Sequence, residues 1–177
     1  RLTGVISRDR RMRRKSANPN RWPFFVVVSL GLLMVALDNS ILYTALPALD
    51  EQLGATASQS LWIINAYPLV ITGLLLGSGS LGDRIGHRRM FMVGLVVFGI
   101  ASLAAAFSPT VLSLVIARGV LGAGAATMLP ATLALINQIF PHERERNLAM
   151  SIWVSAAVLG AALGPVVGGA LLHFFWW

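Results

Sequence analysis

Five apolar runs, each long enough to cross a bilayer, dominate residues 22–177. A hydrocarbon core about 30 Å thick is spanned by roughly 20 helical residues. No water is present there to satisfy backbone N–H and C=O groups, so runs of this length must close their hydrogen bonds internally, as helices. The runs predict helices at about 24–47, 57–81, 90–107, 109–138 and 148–172. Only 12% of residues are charged and 56% are hydrophobic, against about 25% charged in a soluble domain. The expected class is an all-α membrane protein with a basic tail at residues 1–21 and a helix bundle over residues 22–177.

The formal charge of +7 raises nucleic-acid binding, and the distribution of the charge argues against it. Arg8, Arg10, Arg11, Arg13, Arg14, Lys15 and Arg21 precede the first run; Arg84, Arg88 and Arg89 separate the second from the third; Arg144 and Arg146 separate the fourth from the fifth. The segments after the first and third runs carry no Lys or Arg. Basic residues in alternate loops follow the positive-inside rule, which predicts a multi-pass membrane protein with its N-terminus in the cytoplasm; the plasma (inner) membrane is the expected location. The lipid bilayer, and no nucleic acid, is the expected partner of the basic segments. A signal peptide is the alternative for the first run, but apolar residues resume after Asp38 and four further runs follow.

Cysteine is absent, which excludes disulfides and thiolate metal sites. His87, His142 and His173 are widely spaced and near the ends of runs, so neither a metal site nor a cofactor is expected. No nucleophile–base pair or phosphate loop is visible, and the chain does not read as an enzyme.

Local signals refine the ends. Thr56 to Gln59 (TASQ) fits a capping box for the second helix. Ser108-Pro109 offers an N-cap and an N1 proline for the fourth. Pro47 marks an end for the first.

Two charges stand inside apolar runs, where they are costly and usually functional. Asp38 lies 14 residues after Phe24, about 21 Å from one edge of the hydrocarbon. Arg118 lies nine residues after Pro109, about 13 Å from the opposite edge. The first and fourth helices run in opposite directions, so both charges fall at similar depth. They are expected to communicate in a cavity, where a change of access would alter the balance between desolvation and the guanidinium charge and make proton uptake depend on conformation. The bland alternative for Arg118 is a structural residue bonded to backbone carbonyls.

Three further patterns carry a resemblance. The turn after the second run reads Gly79-Ser80-Leu81-Gly82-Asp83-Arg84-Ile85-Gly86-His87-Arg88-Arg89. Its glycines permit a tight turn and close helix approach. Asp83, near a helix C-terminus where an anion is disfavoured, is expected to find a partner in an Arg or another helix's N-terminus. The fourth run contains Leu114-x-x-x-Arg118-x-x-Leu121-Gly122-Ala123-Gly124-Ala125-Ala126. In the fifth, Gly160, Gly164 and Gly168 share one face, with Pro165 and Gly169 beside them. That spacing allows close backbone packing. These segments resemble, in order, the signature loop, the Arg-containing motif and the antiporter motif of the major facilitator superfamily. Gly82 stands where Ala is common, His87 where Arg is common, and Leu121 where Gln is expected. The first run's Leu37-Asp38-Asn39-Ser40-x-x-x-x-Ala45-Leu46-Pro47 is similar to a segment of fourteen-helix drug:proton antiporters. Leu61-Trp62-Ile63-Ile64-Asn65-Ala66-Tyr67 resembles quaternary-ammonium efflux pumps, with Asn65 where some carry Asp.

The resemblance implies the N-terminal five transmembrane helices of a major-facilitator-type bundle, one short of two three-helix repeats, whose C-terminal half is missing from this sequence. It implies proton-coupled antiport of small lipophilic cationic drugs by alternating access, with protons as the coupling ion. Asp38 and Arg118 would handle the proton or cation. Gly79, Asp83, Arg84, Gly86, Arg88 and Arg89 would form a cytoplasmic latch. Gly160, Gly164, Pro165, Gly168 and Gly169 would mark an exporter, and Asn65, Trp62 and Tyr67 are candidate substrate contacts. A metabolite uptake symporter and a truncated, non-transporting membrane element are the alternatives.

Overall fold

The computed structural model describes residues 21–174. The expected tail at residues 1–20 lies outside the described residues, as do residues 175–177. Five helices follow one another: α1 (Arg21–Leu53), α2 (Ala57–Ile85), α3 (His87–Ala106), α4 (Val111–Ile139) and α5 (Glu143–Phe174). All five are long and apolar enough to cross a membrane. The protein is an all-α, multi-pass membrane protein.

The termini of the helices show which local signals prevail. Thr56 and Gln59 form the capping box of α2, each side chain meeting the other's backbone N–H. At α4 the expected cap is corrected: Thr110, not Ser108, caps the helix, with Ser113 completing a reciprocal box. Two orphan donors are satisfied at once by Thr110 and Ser113, and Ser108 Oγ instead donates to the Ala104 carbonyl at the end of α3 at 2.8 Å. Helix α1 also continues through Pro47 to Leu53. A proline removes one intrahelical bond, a loss tolerated in membrane helices where neighbours compensate. Leu49 beyond it is fully buried, and Asp50 Oδ1 accepts from Ser60 Oγ at 2.6 Å, tying the last turn to α2.

Helix α4 is the centre of the bundle, packed along both α2 and α3, while α1 packs mainly along α5 and meets α4 over a shorter stretch. Small residues set these approaches. A Cβ on Gly94 of α3 would overlap Thr127 and Met128 of α4, and one on Gly124 would lie 2.9 Å from the Phe98 nitrogen. Ser78 Oγ donates to the Ala126 carbonyl at 2.6 Å, joining α2 to α4. Between the parallel helices α1 and α5, Gly160, Gly164 and Gly168 face Ala36, Ser40 and Thr44, so a small-residue groove receives a small-residue ridge at matching four-residue steps. Such packing drives helix association where lipid removes the hydrophobic incentive.

One end of the bundle gathers the basic segments. There Trp22, Phe25 and Phe140 pack edge to face with centroids 5.5–6.0 Å apart. Arg21 lies 3.5 Å from Glu145, and the Arg88 guanidinium sits 5.7 Å from the Phe24 ring centre. The outward faces are strongly apolar; Leu76, Phe107 and Val166 are among the most exposed residues.

Candidate functional site

Arg118 is the largest fully buried side chain among the described residues, 2% exposed at the middle of the bundle. Its Nη1 donates to Asp38 Oδ2 at 2.6 Å and its Nη2 to Asn39 Oδ1 at 2.9 Å. The Tyr67 ring covers the guanidinium, its centroid 4.5 Å from Cζ. Three helices therefore converge on one cation. Of the two readings of Arg118, the structure shows side-chain partners on α1 rather than backbone carbonyls.

Each neighbour is placed by a small residue. Gly122 lies one turn beyond Arg118, and a Cβ there would stand 2.6 Å from the Tyr67 carbonyl oxygen. The α2 backbone thus rests on Gly122, and this seat brings the Tyr67 ring over the guanidinium. Gly122→Ala should push α2 outward and uncover Arg118, destabilising the protein by about 1–3 kcal/mol. A fall in Tm of the detergent-extracted protein checks this. On the other side, Ser40 Oγ donates to the Ala161 carbonyl at 2.7 Å. A Cβ on Gly164 would overlap Ser40, so the α5 glycines hold the turn of α1 that carries Asp38 and Asn39.

Asp38 keeps 19% of its side chain accessible and opens onto a cavity of about 340 Å³. The cavity is lined chiefly by apolar side chains, among them Leu37, Ile41, Phe98, Leu114 and Leu121; Asp38 and Arg118 are its charged members. Only Oδ2 of Asp38 takes the Arg118 hydrogen bond. Chemically, this is a carboxylate neutralised on one side and reachable on the other, able to exchange a proton or a small cation with the cavity.

Not every expected residue joins this cluster. Tyr67 does. Trp62 is 56% exposed on α2, and Asn65 is exposed with Nδ2 bonded to its own helix at the Leu61 carbonyl, 2.8 Å away. Asn39, in contact with Arg118, was not singled out by sequence reasoning. Successive residues on a helix diverge by about 100°, so adjacency to Asp38 gave no reason to place both on one guanidinium. The available signal was an amide next to a carboxylate in an apolar run.

The α2–α3 turn pivots on Gly86, which ends one helix and starts the next at φ +99°. That backbone region favours glycine. The expected partner of Asp83, an Arg or a helix N-terminus, is corrected: the His87 side chain stands there instead, with Nε2 3.2 Å from Oδ1. The imidazole packs on Gly82, where a Cβ would lie 2.9 Å from Nδ1. Gly79 meets open space, and Arg84, Arg88 and Arg89 are exposed. On α5, Gly160, Gly164 and Gly168 face α1, whereas Pro165 and Gly169 lie on the exposed side.

Residues 28–177 match the family model described as Major Facilitator Superfamily. The methyl viologen resistance protein SmvA of Salmonella typhimurium is 46% identical over 157 residues, covering 89% of this chain and 32% of that protein. The multidrug efflux pump LfrA of Mycolicibacterium smegmatis is 45% identical over 156 residues, covering 88% of this chain and 31% of that protein. The puromycin resistance protein pur8 of Streptomyces alboniger is 39% identical over 160 residues, covering 90% and 32%. The chain spans about a third of the length of these relatives. With a matching model across most of its length and five membrane-spanning helices around a buried ion pair, the chain belongs to the Major Facilitator Superfamily.

Proposed function

We propose that this chain supplies five helices of a proton-coupled antiporter that exports lipophilic cations or other drugs by alternating access. The observation that carries this reading is the Asp38–Arg118 pair, joined at 2.6 Å between α1 and α4 and open to a cavity. An ionisable pair at membrane depth is expensive and marks an ion or substrate path. The relatives named for drug resistance and efflux support an exported drug as the cargo. Further helices of the longer transporter would complete the substrate cavity between two halves.

In this reading Asp38 carries the proton or faces the cationic drug, and Arg118 tunes its affinity. The basic end of the bundle lies in the cytoplasm, following the positive-inside rule. The α2–α3 turn, with Gly79, Asp83, Arg84, Gly86, Arg88 and Arg89, serves there as a latch against the other half. The glycine face of α5, with Pro165 and Gly169, supports the exporter reading over uptake. Trp62 and Asn65 face outward from α2 and are proposed to meet substrate on that side, while Tyr67 acts through Arg118.

The test is movement of a lipophilic cation in vesicles holding the full-length transporter, with and without a pH gradient. Gradient-driven movement is expected in wild type and at least a tenfold loss in Asp38→Asn. Movement unchanged in the variant removes Asp38 from the mechanism. No movement of any cation favours a metabolite as cargo.

A further inference from the structure

Arg118 is held from three directions, and only one depends on the charge of Asp38. The carboxylate takes Nη1 at 2.6 Å, the neutral Asn39 amide oxygen takes Nη2 at 2.9 Å, and the Tyr67 ring lies over the guanidinium. Nε is buried without any hydrogen-bond partner among the described residues. We propose that Asn39 is a positioning residue that keeps Arg118 in the site whether or not Asp38 carries its charge. This rests on the reading of Asp38 as the proton-carrying group.

The argument is one of hydrogen-bond supply. A guanidinium presents five N–H donors and accepts nothing. Buried donors without partners are costly, and a buried charge without any is far more so. When Asp38 is neutralised, by a proton or by a competing cation, its bond to Arg118 loses its charge assistance. Asn39 does not titrate, and its bond keeps full strength in both states. The Tyr67 ring attracts the cation through its face regardless of the carboxylate.

The moving part is therefore Asp38, which turns toward the cavity, and Arg118 is the fixed one. No other charged group lines this cavity among the described residues: α3 contributes Phe98 and Ser102, and α5 contributes Leu171. Without Asn39, each neutralisation of Asp38 would leave the guanidinium with only a weakened side-chain acceptor, and the coupled cycle would slow. Exchange of one substrate molecule for another, which needs no net proton transfer, would be affected much less.

The experiment uses the full-length transporter in vesicles with tetraphenylphosphonium as the probe. Two rates are measured: movement driven by a pH gradient, and exchange of labelled for unlabelled probe at equal pH. Asn39→Leu and Asn39→Ala both remove the acceptor, and two variants guard against one failing to fold. The gradient-driven rate is expected to fall at least tenfold and exchange by no more than about threefold. Asn39→Gln, which keeps a neutral amide oxygen on a longer arm, should recover at least threefold of the driven rate. A driven rate within twofold of wild type in either acceptor-free variant overturns the proposal. So does a parallel fall of both rates that Asn39→Gln does not rescue. Failure of the underlying reading shows elsewhere, as a wild type without gradient-driven movement or an active Asp38→Asn, and it takes this proposal with it.

Discussion

Asp38→Leu is expected to destabilise the protein by about 3–5 kcal/mol, and Asp38→Leu/Arg118→Leu to recover most of that loss. The single substitution leaves a guanidinium buried at 2% exposure with no counter-charge. Asn39 and the Tyr67 ring remain beside it, but neither neutralises it. Removing both charges takes away the stranded ion, and two leucines suit a cavity already lined by Leu37, Leu114 and Leu121. Arg118→Leu alone should cost less than Asp38→Leu. Its orphan is a carboxylate that reaches the cavity and can accept a proton there. A thermodynamic cycle on the Tm of the full-length protein in lipid nanodiscs measures the coupling. Additive losses in the double variant would mean that the two charges are neighbours without being partners. The double variant, though stable, is expected to show no gradient-driven transport, which separates what the pair does for the fold from what it does for function.

The second large effect belongs to α5. Gly164→Ala is expected to lower stability by about 1–3 kcal/mol, with Gly160→Ala close behind and Gly168→Ala nearly silent. The order follows the space at each site. A methyl at 164 overlaps Ser40; at 160 it would stand 2.7 Å from the Leu33 carbonyl oxygen and 2.8 Å from the Ala36 methyl; at 168 its nearest neighbour, the Thr44 Cβ, is 3.4 Å away. Ser40→Ala should not rescue Gly164→Ala, because the Ser40 Cβ itself is in the way, whereas Ser40→Gly should rescue it in part. Thermal unfolding of the five variants in detergent gives the ranking. Equal losses at 160, 164 and 168 would point to helix propensity rather than interface fit. Because the strained turn also carries Asp38 and Asn39, Gly164→Ala should disturb transport beyond its effect on folding.

Much of this was visible in the chain itself. Run length and alternating basic loops gave five membrane helices, since hydrocarbon leaves few choices for an apolar stretch. Depth counting placed Asp38 and Arg118 at one level because the rise of a helix is fixed, and they meet at 2.6 Å. Four-residue spacing put three α5 glycines on one face, but spacing does not name the opposing helix; that Ala36, Ser40 and Thr44 fill the groove required the packed bundle. Helix ends were less legible. Ser108-Pro109 looked like a start, yet the reciprocal pair Thr110–Ser113 satisfies more backbone and wins. Pro47 looked like a stop, yet burial of Leu49 and the Asp50–Ser60 bond carry α1 onward. Asn39 was hidden because rotation about a helix separates neighbours that a long guanidinium from another helix can still bridge.

The α2–α3 turn holds two departures from the superfamily pattern, glycine at 82 and histidine at 87, and in three dimensions they are a single event. The ring at 87 occupies the volume that a methyl at 82 would need, and from that seat it reaches Asp83. Shape therefore couples the two positions. An alanine at 82 would have to turn the imidazole out of its groove and away from Asp83, so the glycine and the histidine are fitted to each other as one unit.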